Sequence, residues 1–179
     1  MSTGYAFLRR VLGAAAIALA SGSANSGELE GRVVGIQDGD TLTILDVGKQ
    51  QHRVRLAGID APEKAQAFGE SAKEHLSRLA FGRQVDVRCN KRDRYGRDVC
   101  SVHVGTRDVG LEQVRSGHAW WYRDYAREQT PADRQVYAAA EQEARSARRG
   151  LWRDAAPTAP WDWRRKGRAE RADARGARG

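Results

Sequence analysis

The sequence predicts an α+β fold that is mainly β structure: a five-stranded Greek-key barrel of the OB type with three helices. Two observations support this class. Five short runs alternate apolar and polar residues, as half-buried strands do, and turn residues separate them. The spacing of apolar residues becomes helical between the third and fourth runs and again after the fifth, which fits a small barrel of this type.

The first three predicted strands cover residues 29–36, 41–45 and 51–59. Between the first two, Asp38-Gly39 is a strong hairpin signal, because glycine adopts a positive φ at little cost. A second turn over residues 47–50 leads into the third strand. Pro62 ends that strand, since proline cannot donate a hydrogen bond to a sheet.

A helix is predicted over residues 65–79 and ends before Gly82. Its apolar face is formed by residues spaced three and four apart: Phe68, Ala72, His75, Leu76 and Leu79. The fourth and fifth strands follow at 84–89 and 99–104, with a polar turn over 90–97 between them.

Cys89 and Cys100 are the only cysteines, and strand alternation turns both toward the core near the turn end of this hairpin. A disulfide requires Cα atoms within roughly 7 Å and an oxidising compartment. Buried thiols are the alternative, and the sequence leaves both states open. Structural zinc is disfavoured because it usually takes four protein ligands.

The remaining elements follow the fifth strand. A short amphipathic helix is predicted over 109–116 and is stopped by Gly117. An aromatic run at 118–125 is expected to pack against the barrel. Thr130 is a typical N-cap for the last helix, which is predicted to end near residue 148.

The two ends of the chain differ from its middle. Residues 1–24 have an arginine pair, a short apolar run and then small residues, which predicts a signal peptide and a secreted or periplasmic protein. An uncleaved N-terminal anchor is the alternative. Residues 27–154 form the predicted domain, and residues 155–179 are predicted to be a basic, disordered tail.

The net charge of +8 favours a polyanionic partner, either nucleic acid or an anionic membrane surface.

Two acidic turns are candidates for a metal site. Asp40 and Asp60 follow or end strands, so a barrel can bring their carboxylates together. Two carboxylates, a backbone carbonyl and water suit a hard cation such as Ca²⁺ or Mg²⁺. Either aspartate alone is more simply a turn residue that bonds its own backbone.

Three further residues indicate phosphate chemistry. Arg55 lies within an apolar strand, and a guanidinium makes paired hydrogen bonds to phosphate. Arg97 follows a Tyr-Gly turn and is a second candidate for the same phosphate. Glu63, just after Pro62, is placed to accept a proton from an attacking water or to orient that water. Each residue alone has a structural explanation, but together they predict a phosphodiesterase.

Three motifs occur together in this chain: DGDT at 38–41, RLAGIDAPE at 55–63 and DRYGR at 93–97. In order and spacing they resemble the motifs of the staphylococcal nuclease (thermonuclease) family, over roughly residues 31 to 152. The resemblance implies an OB-fold barrel with three helices. It also implies Ca²⁺-dependent cleavage of DNA and RNA, preferably single-stranded or locally melted, that leaves 3′-phosphates and 5′-hydroxyls.

The resemblance also implies roles for individual residues. Asp40 and Asp60 become the Ca²⁺ carboxylates, and Ala61 supplies a backbone carbonyl. Arg55 and Arg97 become the phosphate-binding arginines, and Glu63 the glutamate that acts on water, either as base or as positioner. Tyr95, Arg94 and, by a looser match, Tyr125 become nucleic-acid contacts. The segment after Glu63 departs from the family pattern. It reaches its helix within a few residues, whereas the nuclease that gives the family its name has a longer exposed loop there.

A noncatalytic nucleic-acid-binding module is the competing interpretation. The presence of Asp40, Arg55, Asp60, Glu63 and Arg97 argues against it. The expected protein is thus an exported Ca²⁺-dependent endonuclease. We expect it to be a monomer without stable membrane association once the signal peptide is removed.

Overall fold

The structure is a computed structural model and describes residues 28–176; the predicted signal peptide lies outside this range. The strands are β1 (Glu28–Ile36), β2 (Thr41–Asp46), β3 (Gln51–Leu56), β4 (Ile59–Asp60), β5 (Gln84–Arg92), β6 (Asp98–Val104), β7 (Arg107–Asp108) and β8 (Trp120–Trp121). The helices are α1 (Gly69–Ala80), α2 (Val109–Arg115), α3 (Pro131–Ser146) and α4 (Pro160–Gly176), with 3₁₀ turns at Arg123–Glu128 and Gly150–Arg153. No described helix is long and apolar enough to cross a membrane.

The predicted fold class is confirmed. Strands β3, β2, β1, β5 and β6 pair in that order, and a parallel pairing between β3 and β6 closes the barrel. The apolar face of α1 covers the barrel through Ala72, Leu76 and Ala80, which are all buried. The core therefore lies inside the barrel and beneath α1.

The third strand is shorter than predicted. A tight turn at Ala57-Gly58, where Gly58 has φ +72°, breaks the predicted run 51–59 into β3 and β4. Ile59 and Asp60 then pair with Trp121 and Trp120 in a separate two-stranded sheet. This break directs Asp60 away from the barrel ladder, and it has consequences for the site.

Helix α1 begins at Gly69 and not at residue 65. Residues 63–66 form a turn in which the Gln66 amide donates to the Glu63 carbonyl at 2.8 Å. Phe68 has φ +66°, a left-handed conformation that prevents the helix from extending back through it. The segment between Glu63 and α1 is therefore folded against the domain.

The predicted disordered tail is wrong for residues 160–176, which form α4. Low hydrophobicity suggested disorder, but this segment is rich in arginine and alanine, which are strong helix formers. Pro160 begins the helix with a favourable φ and is buried. Trp161 packs edge-on against Trp120, with ring centroids 5.6 Å apart. The predicted domain limits of 27–154 stay a prediction.

Cys89 and Cys100 face each other in the β5–β6 ladder and are joined by a disulfide, with Cα atoms 4.0 Å apart. This settles the alternative that the sequence left open.

Closing a loop of this length with a disulfide restricts the unfolded chain and stabilises a protein by about 2–3 kcal/mol. We expect dithiothreitol to lower the free energy of unfolding in urea by that amount. A variant with alanine at both positions should be insensitive to the reductant, and an equal response from both proteins would contradict this.

His75 of α1 stacks on His118, which follows α2, with ring centroids 4.2 Å apart and nearly parallel planes. Burial, reinforced by the charge of His75, lowers the pKa of His118 to about 4. The unfolded chain, with an ordinary histidine pKa of 6.5, therefore binds more protons between these values.

Protonation of His118 should accordingly lower the stability as the pH drops from about 6.5 to about 4, and it should cause no further loss below that range. Burial also lowers the pKa of His75, so we expect His118→Gln to make this part of the curve less steep and not to flatten it fully. Urea unfolding at several pH values measures the effect. Parallel curves for the variant and the wild type would contradict it.

Candidate active site

Arg55 on β3 is the centre of the candidate site. Its Nη2 atom lies 2.8 Å from Oδ1 of Asp60 and 3.2 Å from Oδ2 of Asp40. Its Nη1 atom donates to the Ile59 carbonyl at 3.0 Å. Although it belongs to a barrel strand, Arg55 is largely buried between two carboxylates. The structure thus brings together three residues that lie 5 to 20 positions apart in the chain.

Asp40 reaches Arg55 because the β1–β2 loop is tightly packed. A Cβ on Gly39 would lie 2.6 Å from the Cβ of Ala72 and 2.7 Å from that of Ala61, so only glycine fits there. The Gly39 carbonyl accepts a 2.6 Å hydrogen bond from the buried Gln113 side chain. The Asp40 carbonyl accepts from the Leu56 amide at 2.8 Å. The backbone of this loop is therefore held from both sides.

The Asp40 carboxylate is buried and well supplied with donors. The Ala61 amide donates to Oδ2 at 3.2 Å, and the Thr41 hydroxyl donates to Oδ1 at 2.9 Å. Burial acts to raise the pKa of Asp40, but the charge of Arg55 and these hydrogen bonds outweigh it and lower that pKa. Asp40 is accordingly an anion at neutral pH.

Asp60 is only 1% exposed, the least accessible of the site carboxylates. It accepts from Arg55 and, on both oxygens, from Arg164 of α4 at 3.2 and 2.6 Å. Burial raises the pKa of Asp60, and the hydrogen bonds from Arg164 act in the opposite direction. Asp60 therefore depends on nearby positive charge to stay ionised.

Arg97 joins the same group of residues through a hydroxyl. Its Nη1 donates at 3.0 Å to Thr41 Oγ1, which itself donates to Asp40. Its Nε donates at 2.8 Å to Asp93 Oδ2, across the turn that contains Gly96 with φ +75°. The two predicted phosphate-binding arginines therefore flank Asp40.

Glu63 lies at the accessible side of the site, with its side chain 41% exposed. Its Oε1 accepts from Arg164 Nη1 at 2.7 Å, and the same nitrogen contacts Asp60. Pro62 and the turn to Gln66 fix the backbone on either side. The structure thus places Glu63 next to Asp60, where it can reach a water that solvent supplies.

The three predicted nucleic-acid contacts lie around this site at two places. Tyr95 is 64% exposed, with the guanidinium carbons of Arg94 and Arg97 lying 4.9 and 5.6 Å from its ring centroid. Tyr125 is half-exposed and has Lys91 Nζ 4.2 Å above its ring. It also packs edge-on against Tyr122, at 5.0 Å between centroids. Both tyrosines therefore combine an accessible ring with a cation.

Three contributors to the site were not predicted. Thr41 bridges Arg97 and Asp40, and its position in the 38–41 motif was the available signal. Gln113 is a fully buried amide on the face of α2 that also buries Val109 and Val114, and a polar residue on an apolar face was the available signal. Arg164 had no signal, because it lies over 100 residues from both of its partners.

The donors present fit a hard divalent cation. Asp40 and Asp60 present ionisable oxygens to one point near Arg55, and the backbone of Ala61 lies beside Asp40. Within residues 28–176 no three His, Cys, Asp or Glu side chains cluster as a ready metal site. A cation here would therefore need backbone carbonyl and water ligands as well, which Ca²⁺ commonly accepts.

Known proteins resemble this chain over most of its length. The family model described as "Staphylococcal nuclease homologue" matches residues 53–154. Protein ParB of Escherichia coli is 43% identical over 171 residues, covering 90% of this chain and 93% of that protein. A micrococcal nuclease of Shigella flexneri is 41% identical over 174 residues, covering 92% and 96% respectively. An uncharacterized endonuclease of Haemophilus influenzae is 42% identical over 135 residues, covering 75% and 72%.

Proposed function

This chain belongs to the family of staphylococcal nuclease homologues, and from that membership we propose that it is a Ca²⁺-dependent endonuclease of DNA and RNA. The observation that carries the proposal is the position of Arg55, which is held between two buried carboxylates with Arg97 and Glu63 nearby. Buried charge is costly to maintain, so such a cluster is typical of a site where charge is used.

The cation site comprises Asp40, Asp60 and the carbonyl of Ala61. A bound Ca²⁺ would neutralise charge on the phosphate and make a bound water more acidic. The contribution of the protein is to keep both carboxylates ionised and close together. Arg55 does this by bonding to both of them at once.

Arg55 and Arg97 bind the scissile phosphate in this proposal. Guanidinium groups match phosphate oxygens, and they stabilise the negative charge that develops as the phosphorus is attacked. Arg97 is positioned for this by Asp93 and Thr41. Its attachment to the turn of residues 93–97 places it beside the exposed Tyr95.

Glu63 acts on the attacking water, either by accepting its proton or by orienting it. Its partial exposure allows water to reach it, and its proximity to Asp60 places that water beside the cation site. As the family resemblance implies, we propose that the water attacks the phosphorus and the bond to the 5′-oxygen breaks, so the products carry 3′-phosphate and 5′-hydroxyl ends.

Tyr95, Arg94 and Tyr125 contact the nucleic acid near the scissile bond. Exposed aromatic rings stack on bases with little sequence preference, and stacking requires bases that are not already paired. We therefore propose single-stranded or locally melted substrates. The basic chain attracts them from a distance, and this attraction weakens as salt rises.

The protein acts outside the cytoplasm, secreted or in the periplasm, after cleavage of the signal peptide predicted at residues 1–24. The Cys89–Cys100 disulfide supports this location, since disulfides persist in oxidising compartments. We propose that the mature protein is a monomer and has no stable association with membranes.

Cleavage of supercoiled plasmid with Ca²⁺, with and without excess EGTA, tests the proposed function. We expect nicking in Ca²⁺ that EGTA abolishes and added Ca²⁺ restores. A gel-shift experiment on the same samples measures binding independently of cleavage. Binding without cleavage at every Ca²⁺ concentration would instead identify a noncatalytic nucleic-acid-binding module.

A further inference from the structure

Arg164 occupies the position where the proposed cation site needs positive charge. Its two terminal nitrogens bond to both carboxylate oxygens of Asp60, at 3.2 and 2.6 Å, and one of them also bonds to Glu63 at 2.7 Å. Its side chain is 35% exposed, so solvent has access to the arginine end of this contact. The contact joins α4 directly to the candidate active site.

The start of α4 is anchored to the domain by several contacts besides Arg164. The Trp161 ring stacks on Tyr122 with centroids 5.3 Å apart and planes 13° apart. Just before the helix, the Thr158 carbonyl accepts from the Gln66 side chain at 2.6 Å. Pro160 is buried. The guanidinium is therefore delivered to Asp60 by a packed helix N-terminal turn.

The bonds to Asp60 leave little capacity for another cation. Its Oδ1 already accepts from Arg55 and Arg164, and its Oδ2 accepts from Arg164 alone. A Ca²⁺ ion takes carboxylate oxygens as direct ligands, at roughly 2.3–2.6 Å. It would also lie within a few ångströms of the Arg164 guanidinium, where two like charges repel. Arg164 and the cation therefore compete for Asp60.

The balance of charge agrees with an exchange between them. Among residues 28–176, Asp40, Asp60 and Glu63 form direct ion pairs with two guanidinium groups, those of Arg55 and Arg164. The group is therefore one positive charge short. Replacement of Arg164 by a divalent cation supplies that charge, whereas binding both would leave an excess of one.

We propose that Arg164 is an internal competitor of the divalent cation: it bonds to Asp60 and Glu63 in the cation-free enzyme and is released from them when the cation binds. This inference rests on the cation site proposed above. Release of Arg164 frees Glu63 at the same time, because one nitrogen holds both carboxylates. Cation binding and exposure of the residue that acts on water are thereby coupled.

Calorimetric titration of the full-length protein with Ca²⁺ tests the proposal. Arg164→Gln keeps a hydrogen-bond donor for Asp60 and removes the charge, and Arg164→Ala removes both. The matched control is Arg165→Ala, because the Arg165 side chain is 74% exposed and its ion pair in the described part of the chain is with Asp162, away from the site. We expect both Arg164 variants to bind Ca²⁺ about tenfold more tightly than the wild type and the control, within the usual range of such couplings.

Hydrogen exchange of α4 provides a second readout that does not depend on the variants. Ca²⁺ should accelerate amide exchange in the first turns of α4 in the wild type, because one of its anchors is released. Equal Ca²⁺ affinity in the Arg164 variants and the control, or exchange in α4 that Ca²⁺ leaves unchanged, would overturn the competition. An absence of Ca²⁺ binding in every variant would overturn the underlying cation site instead.

Discussion

Arg55→Ala should reduce nuclease turnover by at least about 10²- to 10³-fold, the usual effect of removing one charge-stabilising donor. It should also lower the free energy of unfolding by about 3–5 kcal/mol. The second effect follows from the contacts of Arg55 with two carboxylates, Asp40 and Asp60, which are both buried. Without the guanidinium these charges repel each other in a site that water barely reaches.

The two effects of this substitution are separable. Turnover is measured at saturating Ca²⁺ and substrate, and stability by urea unfolding without Ca²⁺. Arg53→Ala is the matched control, since Arg53 lies on the same strand with an exposed side chain. The control should match the wild type in both measurements. An Arg55→Ala protein with turnover close to that of the control would remove Arg55 from the proposed mechanism.

Asp40→Asn should weaken Ca²⁺ binding by more than about 100-fold, because it replaces a charged ligand by a neutral one of the same shape. With its oxygen in the place of Oδ2, the asparagine still accepts from the Ala61 amide, and its NH2 group, in the place of Oδ1, can donate to the Thr41 hydroxyl oxygen, so the loop should remain folded. Activity should fall in parallel and recover partly at high Ca²⁺. Calorimetry measures the affinity directly.

Asp86→Asn is the control for that experiment, because it removes the same charge from an exposed position on β5. It should leave Ca²⁺ affinity unchanged. If the two aspartate variants bound Ca²⁺ equally well, Asp40 would be excluded as a ligand. Both variants should have the circular dichroism spectrum of the wild type, so that a difference in Ca²⁺ affinity does not come from unfolding.

The barrel could be predicted because its signals are local. Alternation along the strands and the Asp38-Gly39 turn depend on neighbouring residues, and the structure confirms the fold class they indicate. The break at Gly58 was missed for a physical reason. Residues 51–59 alternate like one strand, and the break requires both the left-handed Gly58 and the pairing of β4 with the distant Trp120 and Trp121.

The residues of the candidate site could be predicted, but the contacts between them could not. Asp40, Arg55, Asp60 and Arg97 were found by residue type and motif, and the structure places them together. The motif at 38–41 pointed to Thr41, but its bridge between Arg97 and Asp40 follows from the course of the folded loop. Arg164 was assigned to a disordered tail, because nothing local distinguishes it from the other arginines there.

The most direct test of the proposed function is cleavage of a 5′-labelled single-stranded DNA oligonucleotide over a series of free Ca²⁺ concentrations. We predict a rate that saturates with Ca²⁺, with a midpoint near the calorimetric dissociation constant. We also predict labelled products whose mobility changes on phosphatase treatment, as 3′-phosphate ends require. Cleavage that persists in EGTA, or products with 3′-hydroxyl ends, would contradict a Ca²⁺ site at Asp40 and Asp60 that works with Arg55.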